Sequence, residues 1–231
     1  MFFLTPDEWT AVALSLRVAV VATVVALPFG IAIAWVLARK DFWGKALLDG
    51  LVHLPLVLPP VVTGYALLLT FGRRGPVGAA LEACCGVVFS FRWTGAALAS
   101  TVMAFPLMVR AIRLSLEAID SRLEEAASTL GANRAWVFAT VTLPLAWPGV
   151  LAGMILGFAK ALGEFGATIT FVAAIPGQTR TVPAAIYGYT QTPGGEAGAL
   201  RLSFVAVAIA LIAVVASEVL TRRLAGSGRL P

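Results

Sequence analysis

Five stretches of this chain run apolar for long enough to cross a bilayer, and the polar residues gather between them. They are residues 11–38, 51–71, 94–116, 145–162 and 200–220. A hydrocarbon core about 30 Å thick needs about 20 helical residues, so each stretch reads as one transmembrane helix. The first is longer than that, which predicts a tilt or a bend, with Pro28 as the bend. The second carries Pro55, Pro59 and Pro60, and the third Pro106. Prolines inside a span free backbone carbonyls, which neighbouring helices or a water-lined path must satisfy. Residues 165–174 (FGATITFVAA) are apolar but too short to cross. Three readings stay open for them: an extension of the fourth span, a dip into the bilayer and back, or part of a sixth span.

Composition agrees with this pattern. Of 231 residues, 59% are hydrophobic and only 13% charged. A soluble domain of this size has too little interior to hide so much apolar surface. The runs are continuous rather than alternating, which argues against a β-barrel. The fold class expected is an all-α integral membrane protein. Residues 1–10 are acidic at Asp7 and Glu8 and lack a basic stretch, so no cleavable leader is expected.

The net charge of +5 changes meaning in this setting. Basic residues beside spans mark topology rather than nucleic acid. Arg39, Lys40, Lys45, Arg110, Arg113, Arg122, Arg134, Arg222, Arg223 and Arg229 fall on one side, ten in all; Arg73, Arg74, Arg92, Arg180 and Arg201 make five on the other. The richer side is expected to be cytoplasmic, with the N-terminus outside and the C-terminus inside. Cys84 and Cys85 are adjacent in sequence and read as free thiols, because a disulfide wants side chains brought together from separate positions. The lone His53 has no Cys or acidic cluster, so no metal site is expected.

Between the third and fourth spans, residues 117–144 form a polar island. Ser121 and Glu124 have capping-box spacing, which predicts a helix start there. Leu123, Ala126, Ala127 and Leu130 recur at three and four and form one apolar stripe. Gly131 suits a left-handed helix end, Asn133 can cap the next helix, and Pro144 marks its entry into the membrane. An ordinary amphipathic connector would explain most of this. The complete run Glu125-Ala126-Ala127, three residues, Gly131, nine residues, then Val141-Thr142-Leu143-Pro144 is harder to explain that way.

That spacing resembles the cytoplasmic coupling loop of the binding-protein-dependent ABC importer permeases. Segments elsewhere narrow the likeness: residues 53–60 (HLPLVLPP), 72–75 (GRRG), 105–113 (FPLMVRAIR), 163–170 (GEFGATIT), 179–183 (TRTVP) and 191–196 (QTPGGE) are similar to the molybdate permeases, with sulfate permeases as near relatives. Val141 stands where the superfamily often has Ile, a minor apolar exchange. Some members carry an extra N-terminal span, which is not expected here. The resemblance implies a type I importer permease, with residues 1–231 as a single transmembrane domain. It implies a non-catalytic subunit that moves molybdate, or tungstate, inward by alternating access. The implied partners are a second copy of the chain, cytoplasmic ATPase subunits that hold ATP and Mg, a periplasmic oxyanion-binding protein and the lipid bilayer; no nucleic acid is implied. Glu124, Glu125, Ala126, Ala127, Gly131, Leu143 and Pro144 would couple to the ATPase. No cofactor is expected in the chain itself, and ATP hydrolysis is not expected of it, since it lacks G-x4-G-K-[ST]: Gly44-Lys45 is followed by Ala46. A membrane-embedded hydrolase would need a nucleophile and base or metal ligands such as H-E-x-x-H inside the spans; one histidine and no such motif argue against it.

Other candidates are weaker. Gly149, Gly153 and Gly157 share one helix face, which reads as close helix packing. Pro59, Pro60, Gly163, Glu164, Phe165, Gly166 and Thr168 are candidate gate or pathway residues. A carboxylate in the path would repel an oxyanion, so Glu164 is expected to be neutralised by Lys160 or to lie off the path. Arg17 is expected to reach outward along its span, and Arg110 and Arg113 to anchor the inner end of the third. Arg73, Arg74 and Arg180 are candidate docking residues for the binding protein, against the plainer reading of solvated loop charges.

Overall fold

The computed structural model describes the backbone of residues 4–227 and the side chains of residues 4–216. Arg229 therefore lies outside the described residues, and only the backbone is described at Arg222 and Arg223. Among the described residues every regular element is helical: α1 (Pro6–Arg39), α2 (Lys45–Val57), α3 (Pro60–Phe71), α4 (Pro76–Cys85), α5 (Trp93–Glu117), α6 (Ser121–Thr129), α7 (Arg134–Val137), α8 (Leu143–Leu162), α9 (Gly166–Val172), α10 (Val182–Thr190) and α11 (Glu196–Ser227). Four segments are long and apolar enough to cross a membrane: α1, α5, α7 with α8, and α11. A fifth crossing exists only if α2 and α3 count as one.

α1 starts at a reciprocal cap. Thr5 Oγ1 accepts the Glu8 N–H at 3.3 Å, and the Glu8 carboxylate accepts the Thr5 N–H at 2.7 Å. The helix continues through Pro28 to Arg39 without interruption. It packs on α5 and α8 through small side chains: Ala19, Ala22, Ala26 and Ala34 on α1, Ala104 on α5, and Ala146 and Ala161 on α8 are all buried. Without a hydrophobic drive between helices in lipid, this close backbone approach supplies the attraction.

The second span is not one helix. α2 begins at Lys45, before the expected boundary, and the chain turns by 113° before α3. Its cause is the Pro59-Pro60 pair. A residue before proline is driven out of the helical region, and Leu58 (ψ 142°) and Pro59 (ψ 133°) are both extended. α2 buries none of its residues within the chain.

The helix of the fourth span ends at Leu162, and α9 follows it after a short break. Along α8 and α9 the neighbours on α5 run backwards: Gly149 meets Ser115, Gly157 meets Met108, and Val172 meets Gly95. The pair therefore follows α5 over nearly its whole length in the opposite direction. Residues 166–172 thus continue along α5 in the direction of α8, after a break at residues 163–165. α10 then folds back against α1, where the Val182 N–H donates to Ser15 Oγ at 2.7 Å. α11 starts beside it, and Arg201 pairs with the buried Glu8 at 2.7 Å.

Candidate functional site

The loop after α5 meets the end of α1. Arg39 donates to the Ile119 carbonyl at 3.3 Å, so the basic loops after the first and third spans share one end of the molecule. There α6 is capped by Asp120, whose carboxylate accepts the Arg122 N–H at 3.0 Å. Ser121 is thus the first helical residue and not the cap. The expected Ser121–Glu124 box does not form, because Asp120 is a competing capping residue one position earlier.

Glu124 is consequently free for another task. Its carboxylate lies 3.1 Å from Arg39 Nε and accepts from Thr142 Oγ1 at 2.7 Å. One side chain thus joins the end of α1, the loop helix α6 and the start of the fourth span. Glu125, its neighbour, is exposed, as are Leu123 and Ala126. Leu130 is 89% exposed and Trp136 is exposed beside it.

α6 ends as the sequence predicted. Gly131 has φ +90°. Its N–H donates to the Ser128 carbonyl at 3.0 Å, and the Ala132 N–H reaches back to Ala127 at 3.3 Å. This pair of bonds is a Schellman motif, which satisfies carbonyls otherwise left open at the helix end. Asn133 then caps α7 by accepting the Trp136 N–H at 2.9 Å. Five residues in a wider π-type turn, Phe138–Thr142, join α7 to α8, with Leu143 and Pro144 as the first residues of α8. A shallow groove of about 470 Å³ separates α6 from α7 and is lined by Ala127, Leu130, Gly131, Asn133, Trp136 and Thr140.

Deeper in the molecule the two helix breaks lie side by side. A side chain at Gly166 would meet Pro60 Cβ at 2.7 Å, and one at Gly64 would meet the Ala167 backbone. The structure therefore brings Pro59, Pro60, Gly163, Phe165 and Gly166 into one region. Glu164 is in that region but turned inward, with 2% of its surface exposed. Lys160 Nζ lies 3.1 Å from its carboxylate, and the Ala167 N–H donates to it at 3.0 Å. Thr168 donates to the Phe165 carbonyl at 2.8 Å. Glu164 is thus neutralised in place and offers little negative field to a passing anion. Phe165 stacks against Tyr187 of α10, ring centroids 5.1 Å apart.

Gly149, Gly153 and Gly157 all face α5, where any side chain would enter Ser115, Ile112 or Met108. Arg17 lies over the Trp93 ring at 3.8 Å, a partner that sequence reasoning missed. His53 Nδ1 bonds the Asp49 carbonyl at 2.9 Å, and Asp49 also pairs with Arg113 at 3.0 Å, which ties α2 to α5. Arg73 and Arg74 are exposed, with Glu82 3.8 Å from Arg73. Arg180 is less open than these two: it is half-buried and lies over the Tyr189 ring at 5.9 Å. Glu8 with Arg201, and Glu124 with Arg39 and Thr142, were also missed. The T-x-x-E pattern at residues 5–8 was a legible signal for the first pair; nothing local announced the second.

Residues 26–226 match the family model described as "Binding-protein-dependent transport system inner membrane component". The chain is 59% identical to the molybdenum transport system permease protein ModB of Escherichia coli K12 over 95% of this chain and 96% of that protein. It is 37% identical to the sulfate transport system permease protein CysW of Synechococcus elongatus, over 95% and 76% respectively. Its fold is similar to that of a bacterial ABC transporter involved in alginate import, with a TM-score of 0.75 at 18% identity, covering 96% of this chain and 81% of that one.

Proposed function

We propose, because the chain belongs to the family of binding-protein-dependent transport system inner membrane components, that it is the permease subunit of an ABC importer for molybdate. The observation that carries the substrate is the 59% identity to a molybdenum permease across nearly both full lengths. The match to a sulfate permease is weaker and covers less of that protein. The work of the chain is passive. It binds no nucleotide; separate ATPase subunits bind ATP and Mg at the end where Glu125 and Leu130 are exposed. That end is cytoplasmic, and the start of α1 faces the periplasm. Two copies pair to enclose the path, and a periplasmic binding protein delivers the anion near Arg73 and Arg74.

Mechanically, the loop is a handle fastened to two crossings. A displacement of α6 is carried by Glu124 to Arg39 on α1 and to Thr142 at the root of α8. The glycine ridge presents a smooth surface on which α8 can shift against α5. The breaks at residues 58–59 and 163–165 supply the hinges. Alternating access then follows as rigid segments rock around them.

The test is reconstitution with the cognate ATPase and binding protein in liposomes. Molybdate uptake that needs ATP, and that a tenfold excess of sulfate fails to suppress, is the expected result. Uptake of sulfate in preference would transfer the chain to the sulfate permeases.

A further inference from the structure

Five buried side-chain polar atoms in the described residues have no hydrogen-bond partner, and two of them are consecutive in sequence: Arg180 Nε and Thr181 Oγ1. Thr181 is 4% exposed and stands at the N-cap of α10, yet its hydroxyl caps nothing. Unpaired buried donors are costly, a guanidinium N–H above all. Among the described residues no carboxylate lies within ion-pair distance of Arg180, whereas Glu8, Glu124 and Glu164 each have a basic partner. The cation is held instead by Tyr189 and by the gap at Gly188, where a side chain would meet the guanidinium at 2.7 Å. Tyr187, next to Gly188 on the same helix, packs on Phe165 at the break of the fourth crossing.

We infer that Arg180, whose guanidinium lies along α10 beside Gly188, and Thr181 at its N-cap form a transient site for a tetrahedral oxyanion on its way through the permease. The chemistry fits on two counts. Nε of a guanidinium and a hydroxyl are both donors suited to an oxyanion. Both are buried and unpaired in this structure. That makes the site weak here and stronger once the neighbouring break opens, which is what a transported anion requires. Arg180 on this reading is a cargo contact rather than a docking residue for the binding protein. The inference rests on the oxyanion importer proposed above.

The test uses the whole complex in nanodiscs, with a hydrolysis-deficient ATPase holding ATP so that the permease stays open outward. Radiolabelled molybdate is the probe, and wild type, Arg180→Met, Arg180→Lys and Thr181→Val are compared. The expected result is retention of molybdate by wild type, loss of at least tenfold in Arg180→Met, and a smaller loss in Thr181→Val. Arg180→Lys should recover part of it. Binding-protein affinity for the complex, measured in parallel, should be unchanged in every variant. Equal retention in wild type and Arg180→Met overturns the site, and so does a loss of binding-protein affinity that matches the loss of retention. Retention of sulfate but not molybdate by wild type, with the same dependence on Arg180, would leave the site standing and overturn the substrate assigned above.

Discussion

Gly149 and Gly131 are the same residue required for opposite reasons. Gly149 lies in the middle of a helix, buried, with Ser115 of α5 where a side chain would begin. Gly131 lies in open space, with nothing within 4 Å of a side chain built there, and its backbone is left-handed at φ +90°. One glycine is needed for what surrounds it and the other for what its own backbone does. The contrast extends to their regions. The α1–α5–α8 packing is tight, small and apolar, and offers nothing to a partner. The α6–α7 loop is fixed by a few polar bonds and turns its apolar residues outward. On a lipid-facing span an exposed leucine means little, since lipid covers it. Leu130 and Trp136 lie beside Arg134 and Asn133 at a polar end, where exposure marks a surface that a protein covers.

The largest effect is expected in the packed region. Gly149→Leu forces a full side chain into Ser115. Even one surplus methylene in a packed core costs about 1–3 kcal/mol, so four carbons should prevent the helix pair from forming. Size-exclusion profiles of the detergent-extracted protein should show aggregate in place of a folded peak. A normal folded peak would mean that α8 and α5 do not pack along the glycine ridge.

Next comes the node that joins the regions. Glu124→Gln keeps the shape but removes the charge facing Arg39 at 3.1 Å. Charge-assisted hydrogen bonds contribute about 1.5–3 kcal/mol when sheltered; partial exposure at both ends puts the expected loss near the bottom of that range. Transport should suffer more than stability, with more ATP hydrolysed per molybdate moved. An unchanged ratio of ATP to molybdate would show that the loop does not act through α1.

Much of this contrast was readable before any coordinates. Apolar run lengths gave four of the crossings, because length and hydropathy are all that a straight span demands. The left-handed turn at Gly131 and the cap at Asn133 were also legible, since both are local backbone chemistry. The second span was misread as continuous even though Pro59 and Pro60 were in view. A proline kink and a 113° turn leave the same sequence mark, and the packing of α3 against α9 decides between them. The capping box failed because two adjacent residues, Asp120 and Ser121, can both cap. The functional node was invisible for another reason: Arg39 and Glu124 are 85 residues apart. No local pattern announces a pair made by tertiary folding.

A smaller effect is expected at Gly131. Any residue with a Cβ must hold φ +90°, at about 1 kcal/mol or more for valine. Asparagine tolerates the left-handed region better, so Gly131→Asn should lose only a fraction of that. Gly131→Val should leave the permease in the membrane but lower ATPase association and uptake, with Gly131→Asn close to wild type. If the two variants behaved alike, the backbone would not be the reason for glycine here.

The smallest effect on the fold, and the sharpest use of the contrast, is Glu125→Lys. Glu125 and Glu124 are consecutive acids on one helix, so composition and local propensity cannot tell them apart. Glu124 is tied to Arg39 and Thr142, while Glu125 is exposed and makes no ion pair within the described residues. A surface substitution of this kind shifts stability by no more than about 0.5 kcal/mol. If the exposed face of α6 is the handle gripped by the ATPase, reversing its charge should break a contact that the permease alone does not contain. Thermal unfolding of the isolated permease should then match wild type, while co-purification of the ATPase falls and uptake stops. Glu124→Gln should give the converse: ATPase retained, coupling impaired. If Glu125→Lys retained both the ATPase and normal uptake, the exposed face would be solvated surface, and the coupling role would pass to the groove between α6 and α7.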